Sequence, residues 1–207
     1  TQAIEKGLEP LAKIIFEQKE RNILALAERY LNDQVTSRDE ALAGARDIIA
    51  EWVNEDTDAR QIMRKIFTRD AILVSTVKKG KETEGIKYKD YFDWSEPVKT
   101  APSHRVLAMR RGEKELFLML DSCPEELSAI ALMEKMILED AANTSVEQVR
   151  LAIKDCYKRL LKPSMETEVR LFTKKKADED AIKVFAENLR QLLLAAPLGE
   201  KSVMAID

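Results

Sequence analysis

The sequence predicts a mainly α-helical protein: a multi-helical domain with one long bridging helix (about 163–196) and at most one or two short strands (about 115–121 and 202–207). Three observations carry this expectation. Apolar residues recur at three- and four-residue spacing through most of the chain, and helix-start signatures precede several of those runs. From Pro163 to Ala196 no residue interrupts a helix. The composition agrees, because 45% apolar and 34% charged residues with only six glycines and six prolines suit long helices around a core and exclude a disordered or fibrous chain.

Taken in order, Gly7 closes a first helical scrap, and Pro10 suits the first turn of a helix carrying Leu11, Ile14, Ile15 and Gln18. Ile23, Leu24, Ala27, Tyr30 and Leu31 keep helical spacing up to a stop at Asn32-Asp33. Ser37 to Glu40 forms a capping box before Ala41, Leu42, Ala45, Ile48, Ile49, Trp52 and Val53, with Trp52 read as core. Asp56 or Thr57 caps the next helix, with Ile62, Met63, Ile66 and Phe67 inward. Ala71 to Val77 is a continuous apolar run that period alone cannot assign, and we read it as helix for want of a neighbouring strand. Pro102 opens a helix that runs through Arg111 and stops at Gly112. Leu116 to Leu120 reads as a strand whose partner is expected at Ser202–Ile206. A helix start around Ser122, Pro124 and Glu125 leads to about Ala141, and Ser145 with Gln148 makes a second capping box before Val149, Ile153, Cys156, Tyr157 and Leu160.

The last helix is a rod of about 50 Å. Met165, Val169 and Phe172 form one apolar stripe; Ile182, Phe185, Ala186, Leu189, Leu192 and Leu193 form another, turned by about a third of a revolution. The intervening TKKKADED is polar on every side, so the helix is expected to bridge two packing bodies. Neither a sustained heptad nor an internal repeat is present.

Function has to come through Glu84–Gly112, EGIKYKDYFDWSEPVKTAPSHRVLAMRRG, where Tyr88, Tyr91, Phe92 and Trp94 crowd together ahead of Pro97, Pro102 and the sole histidine, His104. From Lys78 to Arg111 nine lysines or arginines face five carboxylates, a local excess of four positive charges in a chain of net charge −3. Cations interleaved with aromatics are the ingredients of a single-strand nucleic-acid surface. The competing reading buries the rings and leaves the cations as a solvated rim. The candidate contacts are Lys78, Lys79, Lys81, Lys87, Lys89, Arg105, Arg110 and Arg111. His104 reads as a partly buried ring held near Pro102, rather than as a phosphate contact.

Catalytic chemistry finds no support. No phosphate-binding loop, nucleophile elbow or histidine-rich cluster occurs, and Cys123 and Cys156 lack metal spacing and read as reduced thiols. No catalytic residue, cofactor or metal is expected. The absence of a long apolar run and of a signal peptide points to a cytoplasmic protein without membrane contact. The opening TQAIEKG reads as the end of a helix and the closing SVMAID as the start of a strand, so the chain is expected to be a piece of a longer polypeptide.

The Glu84–Gly112 stretch resembles the Tex family of bacterial transcription accessory proteins, with Tyr91, Phe92, Asp93, Pro97, Pro102, Ser103, His104 and Arg105 as signature positions. AIEKGLEPLA near the start and VFAENLRQLLLAAPLGEKSVMAID at the end are similar to that family as well. The resemblance implies a helical part of the family's central region over 1–162, a bridging helix and its exit over 163–200, and the first strand of a YqgF-type ribonuclease-H-like domain over 201–207. It places Asp207 at that domain's first acidic position, but the rest of the nuclease motif has no counterpart here. It further implies a monomeric structural and regulatory core in a larger protein. That protein would bind RNA or single-stranded DNA through helix-hairpin-helix and OB-fold modules lying elsewhere, and the transcription machinery is a further expected partner. The alternative is a protein-interaction platform without nucleic-acid contact of its own.

Overall fold

A computed structural model describes residues 2–139, 142–197 and 199–205. The helices, in order, are α1 (Gln2–Glu5), α2 (Glu9–Phe16), α3 (Ile23–Ala27), α4 (Arg38–Glu55), α5 (Thr57–Asp70), α6 (Ser103–Lys114), α7 (Glu126–Ile137), α8 (Thr144–Cys156) and α9 (Lys162–Leu194). Three strands, β1 (Ile72–Val77), β2 (Asp93–Pro97) and β3 (Leu118–Cys123), form one antiparallel sheet in the order β2-β1-β3. The mainly α class stands, with a larger β component than the one or two strands expected.

Start signals act close to where the sequence puts them. Ser37 Oγ accepts from Glu40 N at 3.2 Å, and Asp56 Oδ1 accepts from Ala59 N at 2.7 Å. The box at Ser37 is half-made, because Glu40 turns its carboxylate to Thr36 N (3.0 Å) and Lys6 Nζ (2.9 Å). The box expected at Ser145 does not form. Asn143 caps α8 by accepting from Val146 N at 2.9 Å, while Ser145 is buried and donates to Glu20 O at 2.6 Å. Gln18 is no helix residue. It adopts a left-handed φ of 58° after α2, and its amide donates to Ile137 O and accepts from Glu139 N, both at 2.9 Å.

The run at 71–77 is a strand, not a helix. Thr76 pairs with Asp93 on one side and Met119 on the other, and Ile72 with Pro97 and Cys123. Its β-branched residues suit a central strand, and the missing partner was β2, whose DWSEP carries no apolar alternation. Pro97 is tolerated because β2 is an edge strand and Pro97 its last residue. The strand expected at 115–121 begins later, at Leu118, and its partner is β1 rather than the C-terminal run. Residues 201–205 form no strand, and 206–207 lie outside the described residues.

The delay has a local cause. α6 runs past Gly112 to Lys114 and closes with Phe117 N donating to Gly112 O (2.9 Å) and Leu116 N to Glu113 O (3.0 Å), with Leu116 at a left-handed φ of 66°. Gly112 is therefore a packing residue, not a stop. A Cβ there would lie 2.6 Å from Leu118 Cδ1 and 2.9 Å from its Cγ.

Two apolar cores share one rod. The larger joins α1–α5, α7, α8 and the start of α9, with Tyr157, Phe67, Ile48 and Met63 among its fully buried side chains. The smaller lies between the sheet, α6 and α9 around Leu73, Val106, Met109 and Ala177. α8 and α9 are continuous through a π-helical turn, Tyr157–Leu161, in which Lys162 N donates to Tyr157 O. The long helix thus begins near Thr144, not at Pro163, and α9 ends at Leu194. Of its first stripe Met165 and Val169 are buried and Phe172 is exposed. The middle is not polar on every side, since Ala177 is fully buried against α6 and Asp180 accepts from Ser103 Oγ at 2.6 Å. The second stripe is bare: every residue from Ala181 to Pro197 is exposed.

Two opposite effects follow at the end of α6. Gly112→Ala gains about 1 kcal/mol of helix propensity but must displace a buried leucine at about 1–3 kcal/mol, so a net loss of about 1 kcal/mol is expected. Leu116→Gly removes a left-handed penalty of about 1 kcal/mol at an exposed side chain and should raise stability by about that amount. Urea midpoints of the two variants check both signs.

Candidate nucleic-acid interface

Lys78, Lys87, Tyr88, Lys89 and Arg111 gather where β1 ends, because the loop after it, the 3-10 turn Ile86–Tyr91 and α6 meet there, whereas Trp94 and Arg105 lie along β2 toward the start of β1. Gly85 makes the tight return possible, since a Cβ would stand 2.9 Å from Lys81 O and 3.1 Å from Phe117 Cβ. Tyr88 is buried and tilts against Phe117 at 6.0 Å between centroids. Tyr91 and Trp94 meet edge-on at 6.3 Å and, half-buried, pack against the smaller core. Phe92 is half-buried as well. The rings support the architecture and form no continuous exposed stacking surface.

The eight candidate cations divide into two groups. Lys81 pairs with Glu84 (2.7 Å), Lys87 with Glu115 (2.6 Å), Arg105 with Glu96 (3.3 Å) and Arg110 with Glu113 (3.0 Å). Lys87 also lies 5.1 Å from the Tyr88 ring centroid, and Arg105 the same distance from that of Trp94. The Lys87 hydrogen bond holds the Glu115 carboxyl below its ordinary pKa and lifts that of Lys87. Burial, then the nearby Glu115, raise the Tyr88 phenol. Lys78, Lys79, Lys89 and Arg111 have no ion pair among the described residues and present free cations around the same edge.

The positions expected to be family signatures lie on structural elements. Tyr91, Phe92, Asp93 and Pro97 lead into and through β2, Pro102 and Ser103 start α6, and Ser103 ties that start to Asp180 on α9. His104, expected to be partly buried, is exposed, because the first turn of α6 points it away from both cores.

Sequence spacing could not reveal two further clusters. Arg170 on α9 donates to Leu120 O (2.9 Å) and Glu166 (3.2 Å) and is bound to Glu113, while Arg110 Nη2 donates to Arg170 O at 2.9 Å. Burial opposes the Arg170 charge, but Glu113 and then Glu166 outweigh it and hold its pKa above the ordinary value. Asp121, Cys123 and Glu166 place donor atoms within 4.8 Å of one another. That cluster is already balanced: Glu166 accepts from Ser122 N (3.2 Å) and Arg170, and Lys162 lies 4.0 Å from Asp121. Burial raises the Cys123 thiol, aided by Asp121, and pushes Cys156 up to about 12, so both are protonated near neutral pH. No described helix is long and apolar enough to cross a membrane.

Comparison with known proteins matches residues 18–185 to a family model described as Tex central region-like. The chain is 38% identical to the Bacillus subtilis (strain 168) protein YdcI over 100% of its own length and 29% of the relative's. It is 36% identical to the transcriptional accessory protein Tex of Neisseria gonorrhoeae over 99% of its own length and 28% of the relative's. A more distant similarity, 23% identity over 99% of this chain and 22% of the relative, is to the human S1 RNA-binding domain-containing protein 1. The chain therefore spans under a third of the length of these relatives.

The division among the cations is measurable. Arg110→Ala removes the charged donor to the Arg170 carbonyl and one of the two arginines on Glu113, leaving Arg170 as the other, and should cost about 1.5–3 kcal/mol in a urea melt. Lys79→Ala and Arg111→Ala should stay within about 0.5 kcal/mol of the parent.

Proposed function

The chain belongs to the Tex family through that family's central region, and on this premise we propose that it is the structural core of an RNA-binding transcription accessory protein, positioning the domains around it. The observation that carries this reading is the bare end of α9. Ile182, Phe185, Leu189, Leu192 and Leu193 are between 42% and 76% exposed along a continuous helix whose other end is fixed in two cores. Such an apolar face on a rigid rod is a surface made to be covered. In the full-length protein the covering body is another part of the same polypeptide, so the rod transmits the orientation of one body to the next. The role is non-enzymatic, and the RNA binding suggested by the name of the human relative resides chiefly outside this region.

A second reading has its own support in the four free cations. Lys78, Lys79, Lys89 and Arg111 are proposed as an auxiliary phosphate contact that follows the strand after its main site. The pairing of the other four candidates with carboxylates, and the acidic net charge of −3, argue for a weak contact dependent on low salt.

Full-length protein carrying Phe185→Asp and Leu189→Asp should show an increased radius of gyration by small-angle scattering and new proteolytic sites beyond α9. The isolated 207-residue chain with the same changes should melt as the parent does. An unchanged radius in the full-length variant overturns the positioning role. For the second reading, binding of the isolated chain to oligouridylate should weaken with salt at a log–log slope no steeper than about −3, the limit for four phosphates on a single strand. Changing Lys78, Lys79, Lys89 and Arg111 together to Gln should abolish that dependence. Binding that survives the change intact removes these residues from the interface.

A further inference from the structure

We propose that the cleft between α5, the Val98–Thr100 turn and α9 is a docking groove for an acidic peptide segment of a partner protein, anchored by one apolar side chain. The cleft has a volume of about 350 Å³, and Phe67, Val98, Met165, Val169 and Phe172 form its apolar lining. This is ample room for one large side chain and the backbone that carries it. It opens beside Arg64, Thr68 and Lys99 into a shallower cleft that also includes Lys65 and Arg69.

Charge identifies the occupant. The two clefts together are lined by Arg64, Lys65, Arg69, Lys99 and Lys176 against a single carboxylate, Glu168. Glu168 is occupied by Arg64, at 2.7 Å and 3.2 Å, and Arg69 by Asp70. Lys65, Lys99 and Lys176 form no ion pair among the described residues, although Asp70 lies near enough to Lys99 to feel its charge. A positive rim on a chain of net charge −3 selects carboxylates from outside, and an apolar floor selects an aliphatic or aromatic side chain between them. Phe172 is 62% exposed at the mouth, where it can close over such an anchor. A nucleic-acid strand would meet the same cations, but the Phe67 ring is fully buried and Phe172 is the one open ring in the lining, so there is no row of open rings for successive bases. The groove shares no residue with the free cations near β1 and α6 or with the bare end of α9. The proposal is independent of both earlier readings, and it gives the protein-platform role a definite address.

A random dodecapeptide phage library panned against the chain provides the test, followed by anisotropy titration of the enriched peptides and of a 12-nucleotide oligouridylate. Enriched peptides are expected to carry an aromatic or aliphatic residue flanked by Asp or Glu. Lys99→Glu combined with Lys176→Glu should weaken them at least tenfold, and Phe172→Ser severalfold. All three side chains are exposed, so an unchanged thermal melt should accompany the loss. Absence of enrichment, enrichment without acidic residues, or affinity indifferent to both variants overturns the proposal. Oligouridylate binding that the double charge reversal abolishes, with no competition by the peptides, assigns the groove to RNA instead.

Discussion

Pro163 is the constraint on which the architecture depends. A proline inside a helix lacks an N–H and drives its ring toward the carbonyl four residues earlier. In a regular helix that carbonyl belongs to Arg159, and the chain would kink between the two cores. The π-turn at Tyr157–Leu161 precedes it, with Lys162 N reaching back to Tyr157 O, and widens the backbone where the ring must fit. α8 and α9 consequently stay one rod. Cys156, Tyr157, Leu161 and Met165 enter the larger core from it, and Ala177 enters the smaller one. Two bodies packed against a common rigid element hold their relative orientation without needing a large contact with each other.

Polar ties then set the rotation and depth of that packing. Arg170 reaches the Leu120 carbonyl on β3, Glu113 on α6 and Glu166 on its own helix, and Arg110 returns a bond from α6 to the Arg170 carbonyl. Ser103 and Asp180 repeat the connection further along the same helix pair. Between these ties α6 approaches closely because Ala177 presents only a methyl group. A charged network at a half-buried seam adds less stability than apolar contacts of the same size, but it accepts only one register of the partners. The sheet is small, yet β1 joins α5 to this seam and β3 joins α6 to α7, so it keeps the two cores in step.

The aromatic stretch changes meaning in this setting. Tyr88, Tyr91 and Trp94 look like a stacking surface when read along the chain, but they are drawn into packing against Phe117, Val106 and Leu73. Of the eight basic candidates, four are tied to carboxylates in the structure, and two of those, Arg105 and Arg110, hold secondary structure together. What remains available for a partner is a few free lysines and one arginine there, and the larger opportunities lie elsewhere, at the bare end of α9 and in the cleft beside α5.

The helices, most of their start signals and the family were legible in the linear chain, because helical periodicity, caps and a signature stretch are all encoded within a few residues. The two stripes of α9 and the existence of a long rod were readable for the same reason. The strand at 71–77 was not, because an apolar run becomes a strand only when partners exist, and its edge partner, DWSEP, has no apolar alternation of its own. The Arg170 network, the Asp121–Cys123–Glu166 cluster and the groove under Phe172 draw on residues tens of positions apart. No local spacing marks them. By itself the sequence determined most of the helices and what kind of protein this is. Only the tertiary structure decided which cations are spent on internal carboxylates and which apolar faces stay open, because both depend on side chains that meet solely when the rod brings the two cores together.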